Sequence, residues 1–178
     1  MVQQVLEATA EMLGLSGYAG LRVEDVASRS GVNKTTIYRR WPTRQELAAA
    51  ALAFVAEEPP LPDTGTLRGD LLVEAERTLA AASSPVGRGF LRMIQTERAE
   101  AEVEALARGL RERVVARRAQ LIARGVERGE LPAGTDPRIV LELVFAPIFV
   151  RLACLREPVD ARYLERVIDL VLAGARAR

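Results

Sequence analysis

The stretch RVEDVASRSGVNKTTIYRRW, residues 22–41, has the composition of two short helices joined by a tight turn. Ala27 is small at the place where two helices have to cross closely. Gly31 follows four residues later, where the turn calls for a left-handed backbone conformation that glycine adopts without steric cost. The spacing predicts a helix-turn-helix with helices over about 23–30 and 34–40.

The second helix of this motif is predicted to have one inward and one outward face. Ile37 and Trp41 are four residues apart and are expected to turn toward the core. Hydroxyls and cations suit phosphate oxygens, arginine suits the edge of guanine, and a threonine methyl suits thymine. The alternative is a solvated charged face, but residues 33–44 contain four cations and no acid. We therefore predict a DNA-facing surface made of Lys34, Thr35, Thr36, Tyr38, Arg39 and Arg40.

Lys34 is the only lysine in 178 residues, and every other basic residue is arginine. Asn33 is expected to cap the helix that begins at Lys34, and backbone amides at a helix N-terminus attract phosphate. We therefore expect the flexible point charge of Lys34 to meet the DNA backbone. Pro42 prevents this helix from continuing. Thr43 and Glu46 have the spacing of a capping box and predict the start of the next helix.

Proline and glycine separate segments that nearly all have helical periodicity, and no strand pattern of any length is present. The sequence predicts an all-α protein of about nine helices. EEPPLPDTG, residues 57–65, is acidic and proline-rich and predicts a linker between a domain over 1–56 and a domain over 57–178. SSPVGRG, residues 83–89, predicts a break before a shorter helix over about 90–97.

The two C-terminal helices are predicted to reach a second subunit. Asp136 followed by proline favours a helix start, and the apolar run predicts a helix over 137–155 that Pro147 should kink. Asp160 is expected to cap the last helix, which should end near residue 174. Both helices are apolar on more than one face, so each needs two partners. The predicted homodimer interface consists of Val144, Ile148, Tyr163, Val167, Leu170, Val171 and Gly174.

The composition excludes several kinds of chemistry. With no histidine, the chain cannot form a Ser-His-Asp or Cys-His catalytic arrangement or a histidine-ligated zinc site. Cys154 is the single cysteine, and its apolar surroundings predict a buried side chain. Arginine accompanies Glu97, Glu100, Glu102 and Glu104 in the sequence, and this pattern predicts that the four carboxylates lie on a solvated surface. We therefore predict that the protein is not an enzyme and has no catalytic residue, no metal and no cofactor.

The sequence also favours a cytoplasmic location without a membrane partner. No apolar run approaches the ~20 residues that are needed to span a bilayer. The first residues, MVQQVLEATAEML, lack the basic flank and long apolar core of a signal peptide.

GVNKTTIYRRWPTRQEL, residues 31–47, resembles the TetR family of bacterial transcriptional regulators, and the helices of 2–56 are similar to that family's DNA-binding domain. The resemblance implies a regulator that binds a palindromic double-stranded operator as a homodimer. Family members usually carry a short basic arm before the first helix, whereas this chain begins inside that helix, so contacts from such an arm are not predicted. The residues implied to lie at or near DNA are Arg22, Asn33, Lys34, Thr35, Thr36, Tyr38, Arg39, Arg40, Thr43 and Arg44, with Arg22 and Thr43 on flanking phosphates.

Residues 57–178 resemble the family's helical ligand-binding and dimerisation domain in layout. The resemblance implies a repressor that a small-molecule effector releases from DNA. The pocket is expected among large side chains of the middle helices, with Arg151 favouring an acidic or carbonyl-bearing ligand. The lining residues are Phe90, Met93, Ile94, Phe145 and Phe149. Ordinary core packing is the alternative for these side chains, and a constitutive helix-turn-helix architectural protein without a ligand is the alternative function.

Overall fold

The computed structural model describes residues 1–55, 59–97 and 99–176, and these residues form helices and connecting segments without any strand. The predicted all-α fold is confirmed. The described helices are α1 (Val2–Ser16), α2 (Val23–Ser30), α3 (Lys34–Arg40), α4 (Arg44–Val55), α5 (Leu67–Ser83), α6 (Pro85–Glu97), α7 (Ala101–Glu127), α8 (Pro137–Phe149) and α9 (Ala161–Arg176), with a π-helical segment at Val150–Leu155.

The chain forms two compact units that interleave along the sequence. The first contains the described residues of Met1–Glu58 together with Ser84–Arg111, and the second contains Pro59–Ser83 together with the described residues of Glu112–Arg178. Helix α6 and the start of α7 therefore belong to the same unit as α1 to α4. The predicted domain boundary between residues 56 and 57 lies outside the described residues and stays a prediction.

The core of the first unit draws buried side chains from each of its first four helices. Leu13, Val26, Ile37 and Leu47 lie in one apolar cluster and are almost fully excluded from water. Met93 of α6 joins the same cluster. Burial of these side chains stabilises the unit by about 1.5–3 kcal/mol each, and it fixes the rotation of each short helix about its axis.

The predicted break before α6 is present but is confined to Ser84, so α6 begins earlier than the sequence predicted. Pro85 occupies the first helical position, where its missing N–H costs nothing, and the Ser84 hydroxyl accepts a hydrogen bond from the Gly87 N–H at 3.0 Å. Gly89 contacts α1 directly, since a Cβ atom at this position would lie 2.2 Å from the Gly14 Cα. Gly89, which resembles a loop signal in the sequence, instead permits close packing of α6 against α1.

Buried charges join α5 to α7 in the second unit. Asp70 and Glu74 of α5 are fully buried. Arg118 of α7 donates to Glu74 Oε1 at 3.0 Å and to the Thr78 hydroxyl at 2.8 Å. Its guanidinium carbon also lies 4.1 Å from the centre of the Phe145 ring on α8. Because an unpaired buried charge is costly, these contacts fix the three helices together.

Arginines also hold the segment that precedes α5. Residues 59–65 lie outside the helices, as the predicted linker requires, and residues 57 and 58 lie outside the described part of the chain. Proline offers a carbonyl acceptor but no N–H donor. Three arginines donate to such carbonyl oxygens: Arg117 to Pro59 at 2.6 Å, Arg77 to Pro60 at 3.0 Å and Arg124 to Pro62 at 2.6 Å.

Helix α8 starts as predicted but does not continue as an α-helix to residue 155. The Asp136 carboxylate accepts from the Arg138 N–H at 2.8 Å, which confirms the cap. Pro147 cannot donate to the carbonyl one turn earlier, and a π-helical segment follows at Val150–Leu155. No side chain of that segment is buried. Cys154 is therefore exposed, and the prediction of a buried thiol is wrong.

The last helix is capped as the sequence predicts. The Asp160 carboxylate accepts from the Tyr163 N–H at 2.7 Å, and α9 runs to Arg176, two residues beyond the predicted end. Among the described residues, no helix is both long and apolar enough to cross a membrane.

Replacement of Gly89 by alanine should destabilise the protein, because the added methyl group meets the backbone of Gly14. Overpacking of this kind costs about 1–3 kcal/mol of unfolding free energy. Gly109 is the matched control, since it lies inside α7 with nothing within 4 Å of an added Cβ. Gly109→Ala should stabilise by about 1 kcal/mol through helix propensity. Urea denaturation of both variants measures the difference, and equal effects would contradict the close approach of α1 and α6.

Candidate nucleic-acid interface

Helices α2 and α3 and the turn between them form the predicted helix-turn-helix. Gly31 ends α2 in the left-handed conformation, with φ 69° and ψ 14°. Val26 on α2 and Ile37 on α3 are 0% and 1% exposed, so the two helices share one core. Trp41 is half-buried at the end of α3 and packs against the same core. The predicted helix bounds, 23–30 and 34–40, are confirmed.

Asn33 determines where α3 begins. Its side-chain oxygen accepts a hydrogen bond from the Thr35 N–H at 2.9 Å, and its backbone carbonyl accepts from Thr36 and Ile37. The cap satisfies an amide that would otherwise lack a partner at the helix start. Lys34 and Thr35 consequently occupy the first turn of α3.

The structure places the predicted DNA-facing residues on one compact unit. All of them are exposed except Thr36, which is half-buried. Tyr38 keeps 44% of its surface exposed although it is aromatic. Within the described part of the chain, no carboxylate pairs with Arg39 or Arg40, and the guanidinium of Arg40 lies 5.6 Å from the centre of the Trp41 ring. The outward face of α3 therefore carries exposed cations, hydroxyls and one phenol.

Lys34 has an acidic neighbour that the sequence around it did not reveal. Its ammonium nitrogen lies 3.2 Å from a carboxylate oxygen of Glu24 in the first turn of α2. The N–H of Glu24 itself, and then Lys34, hold the pKa of the Glu24 carboxyl below its ordinary value. Both side chains are half-exposed, so the pair contributes little and can open when another anion approaches.

Arg44, at the start of α4, lies in a cluster with Tyr18 and Glu102. Its guanidinium carbon is 4.2 Å from the centre of the Tyr18 ring, and its Nη2 is 3.5 Å from Glu102 Oε2. The Tyr18 hydroxyl donates to the same oxygen at 2.5 Å. Burial, followed by this hydrogen bond, raises the pKa of Tyr18, so the phenol stays protonated at neutral pH. Burial lowers the pKa of Arg44, but bonding to Tyr18 and Glu102 outweighs burial and raises it.

Thr43 begins α4 as half of a capping box. The Glu46 carboxylate accepts from the Thr43 N–H at 3.2 Å, and the Thr43 hydroxyl accepts from the Glu46 N–H at 3.1 Å. This prediction is confirmed. The Thr43 hydroxyl still has its own hydrogen to donate, which leaves it able to contact a phosphate.

The structure distributes the predicted pocket residues between two core clusters. Phe90, Met93 and Ile94 belong to the core of the first unit, whereas Phe145 belongs to that of the second. Phe149 is 36% exposed. The pocket stays a prediction.

Arg151, predicted to orient a ligand, is engaged within the second unit. It pairs with Glu157 at 2.5 Å and lies 4.3 Å from the centre of the Tyr163 ring. A ligand that bound Arg151 would have to share this guanidinium with Glu157.

Two of the residues predicted at the subunit interface lie in the core of the second unit, and the interface itself stays a prediction. Val144 and Ile148 are 1% and 0% exposed within the core of the second unit. Helix α8 is apolar on nearly all sides, so its periodicity could not identify the side that meets the core. The exposed side of α8 carries Ile139 and Leu143 instead.

The other predicted interface residues lie on the accessible side of α9. Leu170 is 72% exposed, and an added Cβ on Gly174 would meet nothing within 4 Å. Tyr163, Val167 and Val171 are half-buried. The opposite side of α9 is buried in the second unit through Leu164, Ile168 and Leu172.

The glutamates near the start of α7 serve as hydrogen-bond and ion-pair partners. Glu97 accepts from the Ala19 N–H at 2.9 Å, Glu102 binds Tyr18 and Arg44, and Glu104 pairs with Arg111 at 3.5 Å. Among the described residues, no group of three acidic or cysteine side chains is arranged to hold a metal ion.

Helix α3 is capped by Asn33 and follows a tight turn at Gly31, which is the arrangement of a helix-turn-helix protein. Comparison with known families agrees. A model described as "Bacterial regulatory proteins, tetR family" matches residues 5–51. A model described as "Tetracyclin repressor-like, C-terminal domain" matches residues 61–171, more than half of the chain. The chain belongs to the TetR family of transcriptional regulators, and the resemblance drawn from residues 31–47 is confirmed.

Individual relatives match over nearly the whole chain. The regulator AqdR of Rhodococcus erythropolis is 28% identical over 97% of this chain and 84% of its own length. The DNA-binding transcriptional repressor TetR of Mycobacteroides abscessus is 29% identical over 94% of this chain and 90% of its own. The crystal structure of the TetR family regulator SCO0332 superimposes with a TM-score of 0.76 at 29% identity, covering 97% of this chain and 96% of that one.

Loss of the Asn33 cap should weaken α3. Asn33→Ala removes the oxygen that accepts from Thr35 and should lower the unfolding free energy by about 1 kcal/mol. Asn33→Asp is the control, because aspartate keeps a capping oxygen at this position. Thermal and urea unfolding compare the two variants, and a loss as large in Asn33→Asp would argue against capping as the cause.

Proposed function

We propose that the protein is a homodimeric repressor that binds a palindromic operator in cytoplasmic DNA and is released by a small-molecule effector. The observation that best supports the proposal is the outer face of α3, where cations and hydroxyls are exposed while Ile37 of the same helix is buried. Membership of a family of transcriptional regulators supports DNA binding. A relative described as a DNA-binding transcriptional repressor supports the direction of regulation.

The residues of α3 divide into two roles by their positions. Lys34 lies at the helix N-terminus, where its charge and the backbone amides both suit a phosphate. Thr35 and Arg39 are one turn apart on the exposed face and suit base edges in the major groove. Tyr38 suits a phosphate oxygen through its hydroxyl. Contacts to phosphate supply affinity, while contacts to bases supply sequence preference.

Alanine variants of α3 separate these roles. Lys34→Ala should weaken binding to all sequences about equally and make the slope of log affinity against log salt shallower by about one unit, because one fewer phosphate is neutralised. Arg39→Ala should relax preference at particular base pairs, each worth about 1–3 kcal/mol. Titration of duplexes carrying single base changes, at several salt concentrations, measures both effects. Arg162→Ala, an exposed arginine on α9, is the control and should change neither.

The same alanine series can contradict these assignments. A base-specific loss of affinity in Lys34→Ala, together with a uniform loss in Arg39→Ala, would exchange the two roles. Binding-site selection on random DNA tests the symmetry of the operator. We expect half-site centres about 34–36 Å apart, or a multiple of that distance, because two recognition helices enter successive major grooves.

A second copy of the chain is the proposed partner of the apolar residues on α8 and α9. Helices α8 and α9 pack against one another within the second unit. Ile139, Leu143 and Leu170 are each more than half exposed. Exposed apolar patches of this kind mark association surfaces, and a two-fold dimer covers the same patch on both copies.

Introduction of charge at the α9 surface should therefore separate the dimer. Leu170→Arg should shift the protein toward monomer in sedimentation, because an unpaired charge in a desolvated interface costs several kcal/mol. The fold should persist, since Leu170 is 72% exposed in the single chain. Leu15→Arg is the control, a substitution of similar exposure, 67%, on α1. A Leu170→Arg protein that stays dimeric would place the interface elsewhere.

The proposed effector is a small, largely apolar molecule bound by the region after residue 57. An effector can release DNA only to the extent that it binds the released state more tightly than the DNA-bound state. A compound of this kind should raise the melting temperature and lower operator affinity together. Compounds that stabilise the protein without changing DNA binding would favour a constitutive architectural protein. Catalysis has no part in the proposed function.

A further inference from the structure

Arg44 is the DNA-facing cation with the most extensive contacts in the first unit. Its guanidinium group stacks on Tyr18 and lies 3.5 Å from Glu102. Glu102 belongs to the first turn of α7, a helix that contributes residues up to Arg111 to this unit and residues from Glu112 to the other. A residue far from the helix-turn-helix in sequence therefore contacts one of its predicted phosphate ligands.

The Glu102 carboxylate is held in place independently of Arg44. Tyr18 is 3% exposed, so its ring is fixed in the core, and its hydroxyl donates to Glu102 Oε2 at 2.5 Å. Arg44 uses the same oxygen. If Arg44 moved away, Glu102 would keep the Tyr18 hydrogen bond and stay where it is.

Once DNA is present, the guanidinium of Arg44 can bind either the Glu102 carboxylate or a DNA phosphate. The side chains of Arg44 and Glu102 are 42% and 52% exposed, so water already screens their attraction. An exposed pair of this kind is weak and opens readily. A DNA phosphate binds arginine through charge-assisted hydrogen bonds and in addition releases counterions. The carboxylate also repels a phosphate that approaches the same place.

We propose that Glu102 competes with the DNA backbone for Arg44 and thereby lowers operator affinity. The inference rests on the proposed function, in which Arg44 contacts a phosphate. Glu102 is a positioning residue that acts through Arg44 and does not itself touch DNA. Movement of the first turn of α7 toward or away from α4 would strengthen or weaken the competition and so adjust DNA binding.

Glu102→Gln tests the competition, because glutamine keeps the shape of the side chain and removes its charge. Operator affinity should rise about two- to fivefold per subunit, the range expected when a weak exposed ion pair is removed. The slope of log affinity against log salt should also steepen, because Arg44 becomes free to neutralise a phosphate. A merely structural role for Glu102 would leave this slope unchanged.

Glu104→Gln is the matched control. Glu104 lies in the same turn of α7 and carries the same charge, but it pairs with Arg111 rather than with a DNA-facing cation. Its replacement removes an equal charge from nearly the same place. Operator affinity and the salt slope should stay close to those of the wild-type protein.

The decisive comparison is a double-mutant cycle with Arg44→Ala, measured on the duplex recovered by binding-site selection. In the Arg44→Ala background, Glu102→Gln should no longer raise affinity beyond the effect of Glu104→Gln. If Glu102→Gln does not fold, Tyr18→Phe takes its place, because it removes the hydroxyl that anchors Glu102, and it should raise affinity by a smaller factor.

The outcomes separate this inference from the function on which it rests. Wild-type protein that binds no duplex overturns both. Wild-type binding with equal effects of Glu102→Gln and Glu104→Gln, or an unchanged rise in affinity without Arg44, overturns the inference alone. Weaker binding by Glu102→Gln also overturns it, because Glu102 would then hold Arg44 in position for DNA.

Discussion

Burial of Ile37 is the constraint on which the arrangement of the predicted recognition surface depends. With this side chain 1% exposed, the rotation of α3 about its axis is fixed, and the remaining residues of its seven-residue length have to face outward or along the flanks. Gly31 permits the turn, and Asn33 sets the residue at which the helix begins. A seven-residue helix is too short to be stable alone, so the predicted DNA-facing surface depends on the core beneath it.

Local signals account for the parts of the fold that the sequence predicts well. Helix bounds around Gly31, the cap at Asn33 and the start at Asp136 each depend on residues within four positions along the chain. The face of α8 that meets the core depends on packing from other helices, so the sequence alone did not indicate that Val144 is buried there. Gly89 resembles a loop signal because its packing partner, Gly14, lies 75 residues earlier. The residues proposed to contact DNA and an effector stay predictions, since both contacts would involve a second molecule.

The two ion pairs at the recognition surface show the same limit of sequence reasoning. The stretch 33–44 has no acidic residue, yet Lys34 forms an ion pair with Glu24, ten residues earlier, and Arg44 forms one with Glu102 in another helix. A count of charges along the sequence gives only the composition of a segment. The field that a DNA phosphate experiences depends on where all nearby charges lie in the folded protein. A surface with a partly neutralised field binds less tightly than its number of cations suggests, and it responds to whatever moves the acids.

The arginines that hold Pro59, Pro60 and Pro62 bind backbone carbonyl oxygens, which every amino acid possesses. At these three positions the attachment therefore does not depend on the side chain, whereas at residue 63 it does, because the Asp63 carboxylate pairs with Arg124 and Arg128. Many substitutions can accumulate at positions 59, 60 and 62 while the path of the segment along α5 and α7 stays the same, provided that the opposing arginines remain. Variation between relatives should thus be tolerated at positions 59, 60 and 62 and resisted at Arg77, Arg117 and Arg124, although these three arginines lie on the helices and the segment has the appearance of a simple spacer.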